Sequence, residues 1–359
     1  MRVGIVGLPN AGKSSLFNAL TRAGADAANY PFTTIEPNVA VVPVPDDRLE
    51  AVAATVRASS VVHDTIDFHD IAGLVAGAHR GEGLGNQFLA NIRETDAILH
   101  VVRAHGDPNV IHPEGDPDPV RDIDIVETEL VYADLEQAER RHERVVRQAR
   151  GGERAAVAEE AWLRELIAAL QAGRPARTVP VPADAPQARV NLQPLTAKPV
   201  LYVANVDEGT DEVPPAVAEK AAADAAAAVA ISARIEAELS ELDPEEAAAM
   251  REDLGTPESS LHRVVRGAFG LLDLIAFFTA GEDRPAQSWH LRRGLTAWHA
   301  AGEVHSDIQR GFVRAEVIAW DALVDAGGYA GARERGVLRL EGRDYVMADG
   351  DVITVKFAP

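Results

Sequence analysis

Residues 7–14 read GLPNAGKS and fit the pattern G-x-x-x-x-G-K-[ST] of a phosphate-binding loop, or P-loop. Such a loop turns successive backbone N–H groups toward phosphate oxygens at the start of a helix, where the helix dipole also favours an anion. The pattern assigns Lys13 to the β- and γ-phosphate charge and the hydroxyl of Ser14 to Mg²⁺. Lys13 is one of only four lysines in the chain. The segment therefore predicts a nucleoside triphosphate site.

Two further segments supply polar groups that suit a triphosphate and its metal ion. Residues 70–73 read DIAG, a D-x-x-G pattern in which Asp70 can hold Mg²⁺ through water and the amide of Gly73 can sense the γ-phosphate. Upstream, residues 30–34 read YPFTT and offer threonine hydroxyls, among them Thr34, to complete the Mg²⁺ shell. D-x-x-G is a weak pattern alone, and it gains weight from its place between a P-loop and a base-recognition segment.

The base-recognition segment is NVDE at 205–208, which begins with Asn205 at the end of an apolar run, and Ser232-Ala233 follows the next run. Guanine specificity in switch GTPases rests on Asn-Lys-x-Asp, in which the aspartate accepts two hydrogen bonds from guanine. Here Val206 replaces the lysine and Glu208, longer by one methylene, replaces the aspartate. Because the longer carboxylate cannot reproduce that geometry without moving the base, both changes act against guanine. We therefore expect ATP to bind in preference to GTP.

The residue after D-x-x-G departs from the pattern of many switch GTPases, in which a glutamine orients the attacking water. Here it is Leu74. An aliphatic side chain cannot hydrogen-bond water, so either hydrolysis is very slow or another group enters the site.

The elements that would position these residues follow from the apolar pattern. Strand-length apolar runs alternate with helical stretches, which is typical of an α/β fold with a mainly parallel sheet. The runs lie at 3–6, 39–44, 65–69, 97–102, 200–204 and 226–231. Between about 122 and 197 two helical patterns, 123–150 and 153–172, replace them and flank Gly151-Gly152. This predicts an inserted antiparallel helical hairpin with mainly solvated Arg/Glu-rich faces.

The C-terminal segment changes character and predicts a separate α+β module. Its short β-like segments lie at 312–319, 337–340, 345–347 and 352–357. Residues 277–359 carry 10 basic and 12 acidic side chains, in a chain whose formal net charge is −21. That near-neutral balance makes it the part expected to approach RNA. Six of its arginines could form a basic face, although scattered solvated charges are the commoner outcome. These are Arg310, Arg314, Arg333, Arg335, Arg339 and Arg343.

Composition excludes several classes of chemistry. The 359 residues include no cysteine, which removes disulfides, thiolate zinc sites, iron–sulfur clusters and thiol nucleophiles. No apolar run approaches the roughly 18 residues of a membrane helix, and the opening apolar stretch is too short for a secretory signal. We expect a cytoplasmic protein with no membrane partner.

The sequence resembles the YchF family of Obg-like ATPases. The matching stretches are residues 7–21, 29–49, 70–103, 198–208, 277–281 and 301–318. The resemblance implies a G-domain at 1–122 and 197–276, a helical coiled-coil insertion at 123–196, and a C-terminal TGS domain of ubiquitin-like β-grasp form at 277–359. It also implies ATP hydrolysis, adenine recognition by backbone groups near Val206, and association with the ribosome or a ribosomal subunit.

Carried over residue by residue, the resemblance implies a site for nucleotide and Mg²⁺. Lys13 and His112 are its catalytic residues, with His112 in place of the usual glutamine, and Ser14 and Thr34 ligate Mg²⁺. The phosphate-binding residues are Asn10, Ala11, Gly12, Lys13, Ser14 and Ser15. Ser15 stands where the family usually has threonine. The insertion also looks shorter than in many relatives, which leaves its partner surface open.

Three alternatives remain open from the sequence. The first is an Obg-type GTPase in ribosome assembly, and the second is a nucleotide-stabilised RNA- or protein-binding module without useful turnover. The third concerns His112 alone, which on its residue type would be an ordinary surface-loop histidine. As a further cofactor we consider K⁺, since some switch NTPases recruit that ion at the position of Asn10.

Overall fold

The fold comes from a computed structural model of the chain, which describes residues 1–26, 38–71, 84–107, 110–113, 115–256 and 259–358. Of the predicted site residues, Thr34 and Gly73 lie outside these ranges. Leu74 and the segment 30–34 also lie outside them.

Strands and helices alternate through most of the described chain. The strands are β1 (Arg2–Val6), β2 (Val39–Pro43), β3 (Val61–Val62), β4 (Thr65–Asp70), β5 (Ala97–Arg103), β6 (Val200–Asn205), β7 (Ala227–Ile231), β8 (Leu274–Thr279), β9 (Ala286–Arg292), β10 (Phe312–Ala319), β11 (Arg339–Glu341) and β12 (Asp351–Phe357). The helices are α1 (Lys13–Asp26), α2 (Asp47–Val56), α3 (Leu84–Arg93), α4 (Pro119–Ala149), α5 (Arg154–Gln171), α6 (Ala188–Leu192), α7 (Pro215–Ala223), α8 (Ala233–Leu239), α9 (Pro244–Asp253), α10 (Ser260–Gly270), α11 (Ala297–Val304), α12 (Ser306–Arg310), α13 (Trp320–Asp325) and α14 (Tyr329–Glu334).

The first sheet has six strands in the order β2-β4-β1-β5-β6-β7. Strand β1 pairs in parallel with β4 and β5, and the pairs β5–β6 and β6–β7 are also parallel. All seven residues of β5 are buried, as expected where helices cover both faces of a parallel sheet. The predicted mainly parallel sheet is therefore confirmed. The five strands β4, β1, β5, β6 and β7 have their carboxyl ends at one edge, where a doubly wound sheet binds its ligand.

Helices α4 and α5 form the predicted hairpin and bury a common apolar seam that includes Val145, Trp162 and Leu166. Across the seam, Arg141 Nε donates to Glu159 Oε1 at 2.8 Å. Helix α4 begins earlier than predicted because Asp118 caps it, accepting hydrogen bonds from the backbone of Val120 and Arg121. Its first turns then pack on the sheet through residues such as Val126.

The second sheet also has six strands, in the order β11-β10-β12-β8-β9-β3. The predicted strand at 312–319 is confirmed, and the one at 352–357 begins one residue earlier. Strand β11 replaces the segment predicted at 337–340. The strand predicted at 345–347 is wrong, since Val346 makes only an isolated bridge to Thr296.

The described chain divides into two compact units, Met1–Val42 with Asp67–Ala268 and Pro43–Ile66 with Phe269–Pro359. The predicted G-domain includes residues 43–66 and 269–276, whereas in the structure both segments belong to one unit with the C-terminal segment. Helix α2 buries Leu49 and Val52 in one cluster with Phe278, and β3 pairs with β9. This pairing joins segments that are far apart in the sequence, and no local sequence pattern predicts it. Among the described helices, none combines the length and apolar character that a membrane crossing requires.

Candidate nucleotide-binding site

The P-loop lies between the end of β1 and the start of α1, and three of its residues have positive φ: Gly7 (151°), Asn10 (63°) and Gly12 (102°). A Cβ atom at Gly7 would lie 2.3 Å from the carbonyl oxygen of Val101. A Cβ atom at Gly12 would lie 2.3 Å from Asn205 Nδ2. Glycine is therefore required at both ends of the loop by close approach as well as by backbone conformation.

Lys13 is the cation of the loop, and its side chain is 8% exposed. Its Nζ donates to the carbonyl oxygen of Leu8 at 2.8 Å. Burial lowers the pKa of Lys13, and the charge of Asp70 opposes that shift. Burial likewise raises the pKa of Asp70, against the charge of Lys13. Each group is thus partly desolvated. Because water screens its charge less, each group would interact more strongly with a bound polyphosphate or cation.

The described part of the proposed metal site fits Mg²⁺. Ser14 and Asp70 offer a hydroxyl and a carboxylate oxygen, which are the hard donors that Mg²⁺ prefers. Within the described ranges, no group of three or more His, Cys, Asp or Glu side chains is placed to hold a metal ion. Mg²⁺ in nucleotide sites keeps several waters and binds substrate phosphates, so such a site does not require a cluster of this kind.

Asn205 ties the P-loop to the loop after β7. Its Nδ2 donates to the carbonyl oxygen of Ala11 at 3.1 Å, and its Oδ1 accepts from the backbone N–H of Ala233 at 3.0 Å. The side chain is buried and uses both ends of its amide. The predicted residues Ala11, Asn205 and Ala233 are therefore brought together. The amide of Asn205 holds the wall of the site in place, so it is not available to hydrogen-bond a base.

An open pocket of about 830 Å³ lies along the carboxyl edge of the first sheet. Its volume is within the range of small-molecule sites. The predicted residues that line it are Asn10, Gly12, Lys13, Ser14, Ser15, Asn205, Val206, Glu208, Ser232 and Ala233. The structure thus brings together the phosphate-binding and base-recognition segments that the sequence places about 190 residues apart.

At the base-recognition segment, Val206 is buried and Glu208 is exposed. The carboxylate of Glu208 lies 3.5 Å from Arg234 Nε, which also pairs with Glu238 at 3.1 Å. The carboxylate of Glu208 is therefore paired with the guanidinium of Arg234 at the start of α8. Asp207 is exposed at the pocket wall.

Sequence reasoning missed a part of the pocket wall formed by His105, Gly106, Asp107 and Val110. His105, Asp107 and Val110 line the pocket and follow the carboxyl end of β5. Burial and the charge of Arg103 lower the pKa of His105. These residues form no recognisable motif, but their place after a central parallel strand is a signal that could have identified them.

Arg103 holds this wall in place from beneath. It is 2% exposed, and its guanidinium donates to the carbonyl oxygens of His105 (3.3 Å), Asp107 (2.7 Å) and Val110 (2.8 Å). One planar cation thus donates to three carbonyl oxygens of the segment that follows β5.

His112 is placed beside the pocket but does not line it. Its Nε2 donates to Asp122 Oδ2 at 2.8 Å, and the two side chains are 3% and 2% exposed. Burial raises the pKa of Asp122, and the hydrogen bond from His112 opposes that rise. The alternative of an ordinary surface-loop histidine is therefore wrong, while the catalytic role of His112 stays a prediction.

His100, on β5, is a packed histidine behind the P-loop. Its ring meets that of Tyr202 edge to face, with centroids 5.7 Å apart. Burial, helped by the charge of Lys13, lowers the pKa of His100 to about 3. The imidazole is therefore neutral at physiological pH, as expected of a structural residue on a central strand.

Comparisons with known proteins agree with this geometry. The family model YchF-GTPase_C, described as a protein of unknown function (DUF933), matches residues 274–358. The model MMR_HSR1, described as 50S ribosome-binding GTPase, matches residues 2–137. The chain is 47% identical to a protein of Haemophilus influenzae named "Ribosome-binding ATPase YchF", over 99% of both chains. It is 46% identical to the Bacillus subtilis protein of that name, again over 99% of both.

Solved structures point the same way. The chain resembles the YchF GTPase of Schizosaccharomyces pombe with a TM-score of 0.87 and 34% identity, over 99% of this chain and 97% of that one. The Haemophilus influenzae and Bacillus subtilis proteins are named ATPases and the Schizosaccharomyces pombe protein a GTPase, so the names alone do not decide which base is bound. Because identity and coverage are high over the whole length, the chain belongs to the YchF family.

Proposed function

We propose that this chain is an ATP-hydrolysing P-loop protein that binds the ribosome and acts in translation or its regulation. The observation that carries the proposal is the pocket itself, in which a P-loop meets a base-recognition segment without the guanine-reading residues. Full-length relatives named as ribosome-binding ATPases support the same reading. A ribosome-bound role places the chain in the cytoplasm. Sedimentation of the purified protein with and without ribosomes tests the binding directly.

Triphosphate binding is assigned to the P-loop. The backbone amides of Asn10 to Ser15 face the phosphates, and Lys13 neutralises their charge. Ser14 and Asp70 would hold Mg²⁺, with Thr34 as a further ligand proposed from the sequence, and the amide of Gly73 would contact the γ-phosphate. Bound Mg²⁺ supplies charge neutralisation to the transferring phosphoryl group. Arg103 holds the pocket wall that follows β5 in place. That wall would therefore already be formed when a nucleotide binds.

We propose a G-domain within 1–122 and 197–276, a coiled-coil insertion at 123–196 and a TGS domain of β-grasp form at 277–359, with residues 43–66 and 269–276 assigned to the second unit instead of the G-domain. The helical hairpin and the second, mixed sheet support the last two assignments. Residues 43–66 pack with the second unit, so a truncation at residue 277 would uncover Leu49 and Val52.

Base discrimination gives the first test. The double variant Val206→Lys with Glu208→Asp is expected to shift the ratio of ATP to GTP affinity toward GTP by about tenfold, because it restores the lysine stem and the shorter carboxylate. Isothermal titration with each nucleotide in Mg²⁺ measures the ratio. Glu238→Asp is a matched control, since it shortens another carboxylate beside Arg234. Equal or tighter GTP binding by the unmodified protein would favour the Obg-type GTPase alternative.

Potassium is proposed as a second cation at the P-loop. Asn10 Nδ2 donates to the carbonyl oxygen of Ile111 at 2.9 Å, which leaves the amide oxygen as the ligand for a monovalent ion. We expect faster ATP turnover in KCl than in NaCl at equal ionic strength, and Asn10→Gly, which tolerates the positive φ, should abolish the difference. Phosphate release in the two salts measures it, and equal rates in the unmodified protein would refute the proposal.

RNA contact is proposed for the C-terminal module, within the ribosome complex. Three of its six arginines are paired with carboxylates: Arg310 with Asp307, Arg333 with Glu316, and Arg339 with Glu341 and Asp351. All six arginines are exposed. Because paired arginines contribute less net charge to a phosphate backbone, the contact rests mainly on the other three, Arg314, Arg335 and Arg343.

A further inference from the structure

We propose that Asp122 is a positioning residue that holds His112 in a resting position outside the nucleotide pocket, so that ATP hydrolysis requires their hydrogen bond to open. The inference rests on the proposed function, since it assumes that His112 orients the attacking water.

Both side chains of the Asp122–His112 hydrogen bond are buried. The Nε2–Oδ2 distance is 2.8 Å, and neither side chain is more than 3% exposed. A group that orients water must lie within hydrogen-bond reach of that water. An imidazole that is closed off from solvent and committed to a carboxylate does not meet this condition. The observed arrangement is therefore a resting one.

The backbone around His112 is nevertheless already at the site. The carbonyl oxygen of Val110 accepts from Arg103, and Val110 lines the pocket. The carbonyl oxygen of Ile111 accepts from Asn10 in the P-loop. Since the two preceding residues are anchored there, the imidazole can reach the pocket by leaving Asp122, with a change of rotamer and a small backbone shift. No relocation of the whole segment is needed.

Asp122 also belongs to a particular element. It lies in the first turns of α4, the 31-residue helix that forms one arm of the hairpin. At 1.5 Å per residue this helix is roughly 46 Å long. The His112–Asp122 hydrogen bond therefore connects the residue proposed for hydrolysis to the hairpin. The backbone just before His112 is connected elsewhere, by Arg103 to the sheet and by Asn10 to the P-loop.

The test compares nucleotide turnover in variants of the full chain. Asp122→Ala is expected to raise kcat for ATP about tenfold. The variant lacks the buried, charge-assisted hydrogen bond that stabilises His112 outside the pocket, so His112 would leave that position more readily. The Kd for ATP should stay unchanged, since Asp122 does not line the pocket. Asp118→Ala is the matched control: it removes the cap of α4 and so loosens the helix start, but leaves the His112 contact in place.

Asp122→Asn provides a second variant of nearly equal volume, and a smaller rise in kcat is expected from it because an amide can still accept from the imidazole. The double variant Asp122→Ala with His112→Ala should be as inactive as His112→Ala. Unchanged or lower kcat in both Asp122 variants, an equal rise in Asp118→Ala, or a rise that survives in the double variant would each overturn the inference. If His112→Ala alone keeps normal turnover, the proposed role of His112 fails instead, so the two failures are distinguishable.

Discussion

Lys13→Ala is expected to abolish binding of nucleoside triphosphates, with a loss of affinity of at least about thirtyfold. The lysine ammonium is the one P-loop side chain that carries a positive charge, and it is held in a buried position. Truncating one partner of a desolvated charge pair costs roughly 2–5 kcal/mol in binding, and each 1.4 kcal/mol is tenfold. Isothermal titration with ATP and Mg²⁺ measures the loss.

Lys198→Ala is a matched control for this experiment. Lys198 is also a partly buried lysine of the first unit that donates to backbone carbonyl oxygens, those of Arg93 and Thr95, and burial lowers its pKa as well. It does not line the pocket. We expect it to leave ATP affinity unchanged, whereas micromolar affinity retained in Lys13→Ala would refute the P-loop assignment.

His112→Ala is expected to bind ATP normally and to lose most of its hydrolysis. A positioned acid–base or water-orienting group contributes about 10²–10⁴-fold to the rate. Binding should survive because His112 does not line the pocket in the observed structure. Single-turnover hydrolysis of ATP measures the chemical step apart from product release.

His112→Gln sharpens that test. Glutamine orients water in many switch GTPases, so this variant should recover part of the activity that alanine loses. A general loss of stability would lower both variants alike. Turnover in His112→Ala within about threefold of the unmodified protein would show that His112 takes no part in hydrolysis.

The sequence predicted the first sheet and the P-loop well, because both depend on local pattern. Apolar runs such as 97–102 are long enough to identify a buried strand, and the glycine and lysine spacing of 7–14 has few other uses. The structure adds why Gly7 and Gly12 are needed, through the close approach of Val101 and Asn205.

What the sequence could not predict are contacts between distant segments that carry no motif. The pairing of β3 with β9 joins a strand of two residues to a strand about 225 residues away. The buried Arg103 looks like an ordinary strand-end cation until its loop carbonyls are seen. The engagement of Glu208 by Arg234 and of His112 by Asp122 likewise depends on how helices α8 and α4 are placed.

The most direct test of the account is phosphate release by the purified full-length protein with Mg²⁺ and K⁺, with ATP or GTP, in the presence and absence of ribosomes. We predict slow release from ATP, slower release from GTP at subsaturating concentration, and co-sedimentation of the protein with ribosomes. Nucleotide that stays intact over hours in every condition would contradict the account and favour a binding module in which the nucleotide is a structural ligand.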